Sequence, residues 1–345
     1  MKKPTKLAVL GAGLIGRRHI DHVQQVPEAE LTAIVDPSAA GQEIASEKSV
    51  AWFPDLGALL AQQKPDGIIA ATPTQLHVAN GLEAIAAGIP ILLEKPIADD
   101  VASAEVLVAA AEKSGIALLI GHHRRHNPMI QRAKAIIDSG TLGRIVSVHG
   151  FFWLTKPDDY FEIQWRREKG AGPVLTNLIH DIDLLRYLCG DISAVHAIES
   201  NAIRGHVVEE TAVLLLKFDS GALGTVNVSD TIVAPWSWEQ TTGENKAYPQ
   251  TDQACYYIGG TLGSLSIPKL EVWTNDNRPS WLEPLRAERL YAVDLDPLRL
   301  QIQHFCRVIR GEEEPLVSGR EGLNTLKVIE AAKAAARSGH LTMID

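Results

Sequence analysis

In the first third of the chain, apolar positions gather in short runs at residues 7–10, 31–35, 67–70, 90–93 and 117–120. Such runs predict strands buried on both faces. Stretches with helical spacing separate them, among them 75–87 and 98–113, with Gly88 and Gly115 where those helices end. Strand alternating with helix predicts βαβ units in a doubly wound parallel sheet.

Past residue 121 the pattern changes. A helix over 128–139 leads to a strand over 144–153 with period-two alternation, and a second helix spans 174–189. Strands follow at 194–201, 211–218, 222–228, 254–258, 264–267 and 270–274 with no helices between them, which predicts a large, mostly antiparallel open sheet. The polar stretch 231–252, rich in Trp, Pro and Gly, reads as a long loop, and helices over 297–310 and 320–337 close the chain. The expectation is an α/β chain: a dinucleotide-binding domain at 1–123, then an α+β domain at 124–345 for substrate and oligomer contacts.

Composition narrows the class. The 345 residues are 46% hydrophobic and 22% charged, as in ordinary globular proteins. A formal charge of -9 argues against nucleic acid or an anionic membrane as partner. Cys189, Cys255 and Cys306 form no paired spacing and suit a reducing cytoplasm. Met1-Lys2-Lys3 before an apolar run resembles a signal-peptide start, but glycines interrupt the run and Arg17-Arg18-His19 follows, so a strand and turn fit better. No run approaches a membrane span.

Chemistry enters at the first strand, which runs into Gly11-Ala12-Gly13-Leu14-Ile15-Gly16, a G-x-G-x-x-G turn that opens a helix. Gly11 permits the tight turn, Gly13 lets backbone approach a pyrophosphate, and Gly16 allows close helix–strand packing. The helix start, with Leu14 and Ile15, offers amides to the phosphates. Asp36, ending the next strand, would accept from the adenosine ribose, and its charge favours NAD over NADP. Thr72 and Pro73, at another strand end, are expected along the cofactor path, with Thr74 capping the helix that carries His77.

Glu94-Lys95-Pro96 follows the run at 90–93, again at a carboxyl end, where open α/β sheets bind ligands. Hydride transfer from an alcohol needs the hydroxyl proton removed, and a lysine with a lowered pKa can take it. A second cluster runs from Gly172 to Asp183. Helical spacing there puts Thr176, His180 and Asp183 on one face, with Asn177 beside them. His122, His123 and His126 with Arg124 and Arg125 read as a mostly solvated hinge with one arginine facing the substrate. No ligand spacing supports a metal. Tyr160, Trp165, Trp236 and Trp238 are candidate walls against a sugar ring, while Trp153 and Trp273 read as core.

These residues resemble the Gfo/Idh/MocA oxidoreductases. The matching marks are Gly11–Gly16 with His19, Ala71–Thr74 with His77, Glu94-Lys95-Pro96, Arg124-Arg125, Gly172–Asp183 and the Gly259–Gly263 turn. The resemblance implies a Rossmann domain followed by a domain whose open sheet forms the oligomer interface of a homodimer or homotetramer. It implies Lys95 as proton carrier before a cis bond to Pro96, and His180 as its assistant. Glu94 and His77 would border the cofactor, and Arg125 and Asp183 would contact substrate hydroxyls. Substrates would be sugars, cyclitols or polyols, with NAD or NADP. Many members carry an aspartate where this chain has Thr176, so the negative charge of a Lys-Asp-His set is missing. Two other classes stay open: a hydrolase or lyase that oxidises its substrate transiently with NAD, and a non-catalytic sugar or nucleotide sensor.

Overall fold

The buried runs of the first third form six strands in the order β3-β2-β1-β4-β5-β6, every pairing parallel. They are β1 (Thr5–Leu10), β2 (Ala29–Val35), β3 (Ala51–Phe53), β4 (Gly67–Ala70), β5 (Ile91–Leu93) and β6 (Leu118–Ile120). Between them run α1 (Leu14–Gln25), α2 (Ala39–Glu47), α3 (Leu56–Gln62), α4 (His77–Ala86) and α5 (Val101–Ser114). Leu7, Ala8, Val9, Ile68 and Ile69 are fully buried, as a sheet covered on both faces requires. Side chains cap helix starts. Ser38 accepts from the Gly41 amide ahead of α2, and Asp100 accepts from Ser103 ahead of α5. The strand order reverses between β1 and β4, which opens the crevice at the carboxyl edge where such sheets bind ligands.

The computed structural model describes residues 3–344, so Met1, Lys2 and Asp345 lie outside the described residues. It separates into two units: Met1–Asn127 with Leu295–Leu326, and Pro128–Asp294 with Lys327–Asp345.

In the second unit, α6 (Pro128–Asp138) precedes β7 (Ile145–Trp153), and a π-helical turn, Val174–Leu178, runs into α7 (Ile179–Cys189). Then come β8 (Ile192–Ser200), β9 (Thr211–Phe218), β10 (Leu223–Ser229), α8 (Trp238–Thr242), β11 (Tyr256–Gly260), β12 (Gly263–Ile267), β13 (Glu271–Asn275) and β14 (Leu285–Arg289). With β15 (Thr342–Met343) they make a nine-stranded sheet in the order β14-β13-β12-β11-β7-β10-β9-β8-β15. Only β7 and β10 pair in parallel, so the sheet is mostly antiparallel. One face packs Val148, Phe152, Leu214 and Val226 against apolar residues of α6 and α7.

Several expectations are corrected. The chain does not divide once: α9 (Pro297–Ile309) belongs to the first unit, where Ile302, Phe305, Cys306 and Val308 cluster with Leu7, Val9, Ile34 and Ile69. That sheet face needs a further apolar helix beside α1, and the chain supplies it late. α10 (Gly319–Ser338) begins in the first unit and ends in the second. Trp153 and Trp273 are not core; both lie on the open sheet face, Trp273 at 38% exposure. Trp238 is the core residue, fully buried at the start of α8 within the supposed loop. β14 was missed because all its residues are exposed, leaving no alternation to read.

Candidate active site

Backbone contacts build the glycine turn. Gly11 has φ +85°, and a Cβ there would sit 2.5 Å from the Ala71 carbonyl oxygen on the neighbouring strand end. A Cβ on Gly16 would meet the Gly11 oxygen at 1.9 Å. A Cβ on Gly13 would meet nothing within 4 Å, so open space lies beside the first turn of α1, and Leu14 is 88% exposed there. An amide-rich helix start facing open space fits a dinucleotide pyrophosphate.

Asp36 closes the turn from the side. Its Oδ2 accepts from the Ala12 amide at 2.7 Å, and Oδ1 accepts from the Ser38 amide at 2.9 Å. Burial works to raise its pKa, but the Ser38 and Ala12 hydrogen bonds and the nearby Arg17 outweigh it, and Asp36 is held ionised. Arg17, which the sequence did not suggest, donates from Nε to the Ala12 oxygen at 3.1 Å.

At the end of β5, Glu94 is 7% exposed and its Oε1 lies 2.7 Å from Nε2 of the fully buried His19. Burial alone would raise the carboxyl pKa. The His19 hydrogen bond and charge, with His123 and Lys95, instead hold it at about 2. Glu94 also accepts from the Lys95 amide at 3.2 Å, and Lys95 itself is half-buried. The Lys95–Pro96 bond is cis.

His77, expected beside the cofactor, is 1% exposed and clamps two loops instead. Its Nδ1 lies 2.7 Å from the Pro96 oxygen and its Nε2 lies 2.9 Å from the Thr72 oxygen. Carbonyls only accept, so a neutral ring donates to one of them and a protonated ring to both. Thr72 is half-buried, its hydroxyl donating to Asn80 Oδ1 at 2.9 Å, and Pro73 is exposed.

The basic cluster after β6 is not a solvated hinge. His122, Arg124, Arg125 and His126 are all buried, because α9 and the start of α10 pack in this unit. The Arg125 guanidinium donates to Glu321 Oε2 at 2.8 Å and its side chain is only 3% exposed, so it does not present a free fork to a ligand. His126 lies against His304 with ring centroids 5.1 Å apart and the rings tilted by 50°. Burial pushes both histidines below the ordinary range.

In the second unit, Glu209 anchors the start of the helix that carries His180. Its Oε1 accepts from the Val174 amide at 3.1 Å and its Oε2 from Lys333 Nζ at 2.7 Å. A Cβ on Gly172 would fall 2.2 Å from that carboxylate, so the glycine is what lets it reach the helix start. The π turn replaces regular i→i+4 bonding between Val174 and Leu178, and the simple spacing behind one shared face does not hold. Thr176, Asn177 and His180 are half-buried, whereas Asp183 is 1% exposed. The Thr176 hydroxyl turns back to the Gly172 oxygen at 3.0 Å. Asp181, not singled out by sequence, accepts from the Tyr256 hydroxyl in the core. Tyr160 and Trp165 stand in the segment after β7, with Arg166 4.1 Å above the Tyr160 ring.

A Rossmann crevice with a half-buried lysine at a strand end defines a nucleotide-dependent oxidoreductase, and the comparisons agree. Residues 5–122 match the family described as "Oxidoreductase family, NAD-binding Rossmann fold", and 130–266 match "GFO/IDH/MocA C-terminal domain". The chain belongs to the Gfo/Idh/MocA oxidoreductases, and its cofactor is NAD. D-apiose dehydrogenase of Paraburkholderia graminis is 27% identical, over 98% of this chain and 89% of its own. The scyllo-inositol 2-dehydrogenase (NAD(+)) of Bacillus subtilis is 26% identical, over 100% and 98%. The crystal structure of the WlbA dehydrogenase from Bordetella pertussis, in complex with NADH and UDP-GlcNAcA, superposes with a TM-score of 0.80 at 26% identity, covering 99% of each chain. No helix among the described residues is long and apolar enough to cross a membrane.

Proposed function

We propose that this chain oxidises a secondary hydroxyl of a sugar, cyclitol or related polyol, with Lys95 as proton carrier and His180 as its assistant. The half-buried Lys95 at the carboxyl end of β5, next to an ionised Glu94, carries the reading. NAD, when bound, accepts the hydride from the carbinol carbon. Gly13, Leu14 and Ile15 would offer it backbone amides at the start of α1, Gly11 and Gly16 would shape the turn that lets it approach, and Asp36 would take the ribose hydroxyls. Thr72, Pro73 and Glu94 border it, and His77 fixes that border by tying the Thr72 and Pro96 carbonyls together. Lys95 Nζ removes the hydroxyl proton, and in the reductive direction its ammonium returns it. His180 orients the substrate or shares that proton. Thr176 and Asn177 supply neutral hydrogen bonds where many relatives carry a carboxylate, and Tyr160 and Trp165 wall the ring. Arg125 is held by Glu321 and Asp183 is buried, so neither is given a substrate contact in this reading. Relatives named for apiose and scyllo-inositol support the substrate class.

Steady-state NADH formation over aldoses, inositols and sugar acids tests the reading. Wild type produces NADH with at least one, and Lys95→Met loses about a hundredfold or more in kcat. A variant as active as wild type would remove Lys95 from the chemistry.

A second copy of the chain is the expected partner, in a homodimer or homotetramer docked on the open sheet face. Val146, Ile198, Val213, Leu215, Leu223 and Tyr257 are 42–67% exposed on that face, an unusual amount of apolar surface. Light scattering checks it: Leu215→Glu with Ile198→Glu shifts the particle toward monomer. The three free cysteines suit the cytoplasm as its compartment.

A further inference from the structure

One end of the second unit's sheet gathers charged side chains. Lys156 follows β7, Asp230 follows β10, and Arg204 lies in the connection from β8 to β9. Asp230 is 2% exposed and serves two cations: Lys156 Nζ lies 3.3 Å from Oδ2, and Arg204 NH1 donates to Oδ1. Arg204 NH2 is held by the Lys156 oxygen at 2.9 Å and the Asp230 oxygen at 2.7 Å, so this fork is fixed by backbone. Glu210 gives its two oxygens to the Ile203 and Arg204 amides.

The third cation is Arg166. Its guanidinium stacks 4.1 Å above the Tyr160 ring and 5.7 Å from Trp165, and NH1 donates to the Tyr160 oxygen at 2.9 Å. Among the described residues it pairs with no carboxylate, and its water-shielded Nε has no hydrogen-bond partner. Lys156 Nζ lies 5.1 Å from the centre of the same Tyr160 ring, and Arg204 lies 4.4 Å above Phe161. Three cations thus gather on two adjacent aromatic rings. Asp230, Glu209 and Glu210 are the facing carboxylates, and among the described residues none of them pairs with Arg166.

This cluster adjoins the helix that carries His180. The Asp230 amide donates to the Glu210 oxygen at 3.0 Å, and the neighbouring Glu209 takes the Val174 amide at the start of that helix. A fork with one nitrogen already bound, stacked on an aromatic ring, leaves the edge formed by NH2 and Nε. That edge matches the two oxygens of a carboxylate. We propose that Arg166, backed by Lys156, recognises a carboxylate on the substrate, which makes the substrate class a sugar acid. The proposal rests on the dehydrogenase reading and narrows its substrate.

The test uses the full chain and matched pairs: D-glucuronate with D-glucose, D-galacturonate with D-galactose, and D-gluconate with D-glucitol. Calorimetry with NADH present gives binding, and NADH formation with NAD gives turnover. At least one acid should bind about tenfold or more tightly than its neutral partner. Arg166→Gln should cut that acid-to-neutral ratio by about tenfold or more, and Arg166→Lys should restore part of it. Neutral sugars binding as well as acids, no binding by any acid, or an unchanged ratio in Arg166→Gln would each overturn the proposal. An acid that binds yet never yields NADH would leave the carboxylate site standing and remove the dehydrogenase reading. NADH from a neutral sugar without acid preference would do the reverse.

Discussion

In the proposed reaction Lys95 must be neutral when the hydroxyl proton leaves, yet the adjacent Glu94 is ionised and nearly buried. An anion so placed survives because His19 meets it at 2.7 Å, and the two are 75 residues apart in the chain. No local pattern could have joined them, although each stood in a motif that could be read. The pair makes stability depend on acid. With the folded pKa at about 2, against an ordinary 4.5, the contribution is complete above the ordinary value and is lost as pH falls between the two. Circular dichroism of acid unfolding checks this. Glu94→Gln should flatten the wild-type loss over that window, whose size is on the order of 3 kcal/mol. His19→Ala, which strands the carboxylate, should cost roughly 3–5 kcal/mol near neutral pH.

Among the elements, the helix that carries His180 departs most from sequence expectation. The residues and the helix were legible, but α spacing put Asp183 on the face of Thr176 and His180. The chain instead opens with a π turn whose start is tied to Glu209, and Asp183 is buried. Glu209 lies in another connection, so its effect on that turn is not written within the helix. Gly172→Ala drives a methyl into the Glu209 carboxylate, and we expect roughly 1–3 kcal/mol of lost stability together with lower kcat, read by thermal unfolding and NADH formation. The strands of the second unit show the complementary limit. Alternation identified β7 and β13, but it could not say which face would be covered, and Trp153 and Trp273 were assigned to the wrong side.

At the scale of the whole chain, the late return of α9 decides what the first unit is. Phe305 is fully buried among strand residues Leu7, Val9 and Ile69, far from it in sequence. Phe305→Ala should cost roughly 3–5 kcal/mol, seen as a lower unfolding temperature and weaker NAD binding by calorimetry. The same return buries the basic cluster after β6, which composition alone made look solvated. By itself the sequence determined the parallel and antiparallel sheets, the glycine turn and the lysine at a strand end. These follow from backbone geometry and hydrophobic period, both set by near neighbours in the chain. Only the tertiary structure decided the partners of Glu94, the clamp at His77, the burial of Arg125 and the cations around Tyr160. Those depend on which distant segments share a low-dielectric interior, where one hydrogen bond or countercharge outweighs any local preference.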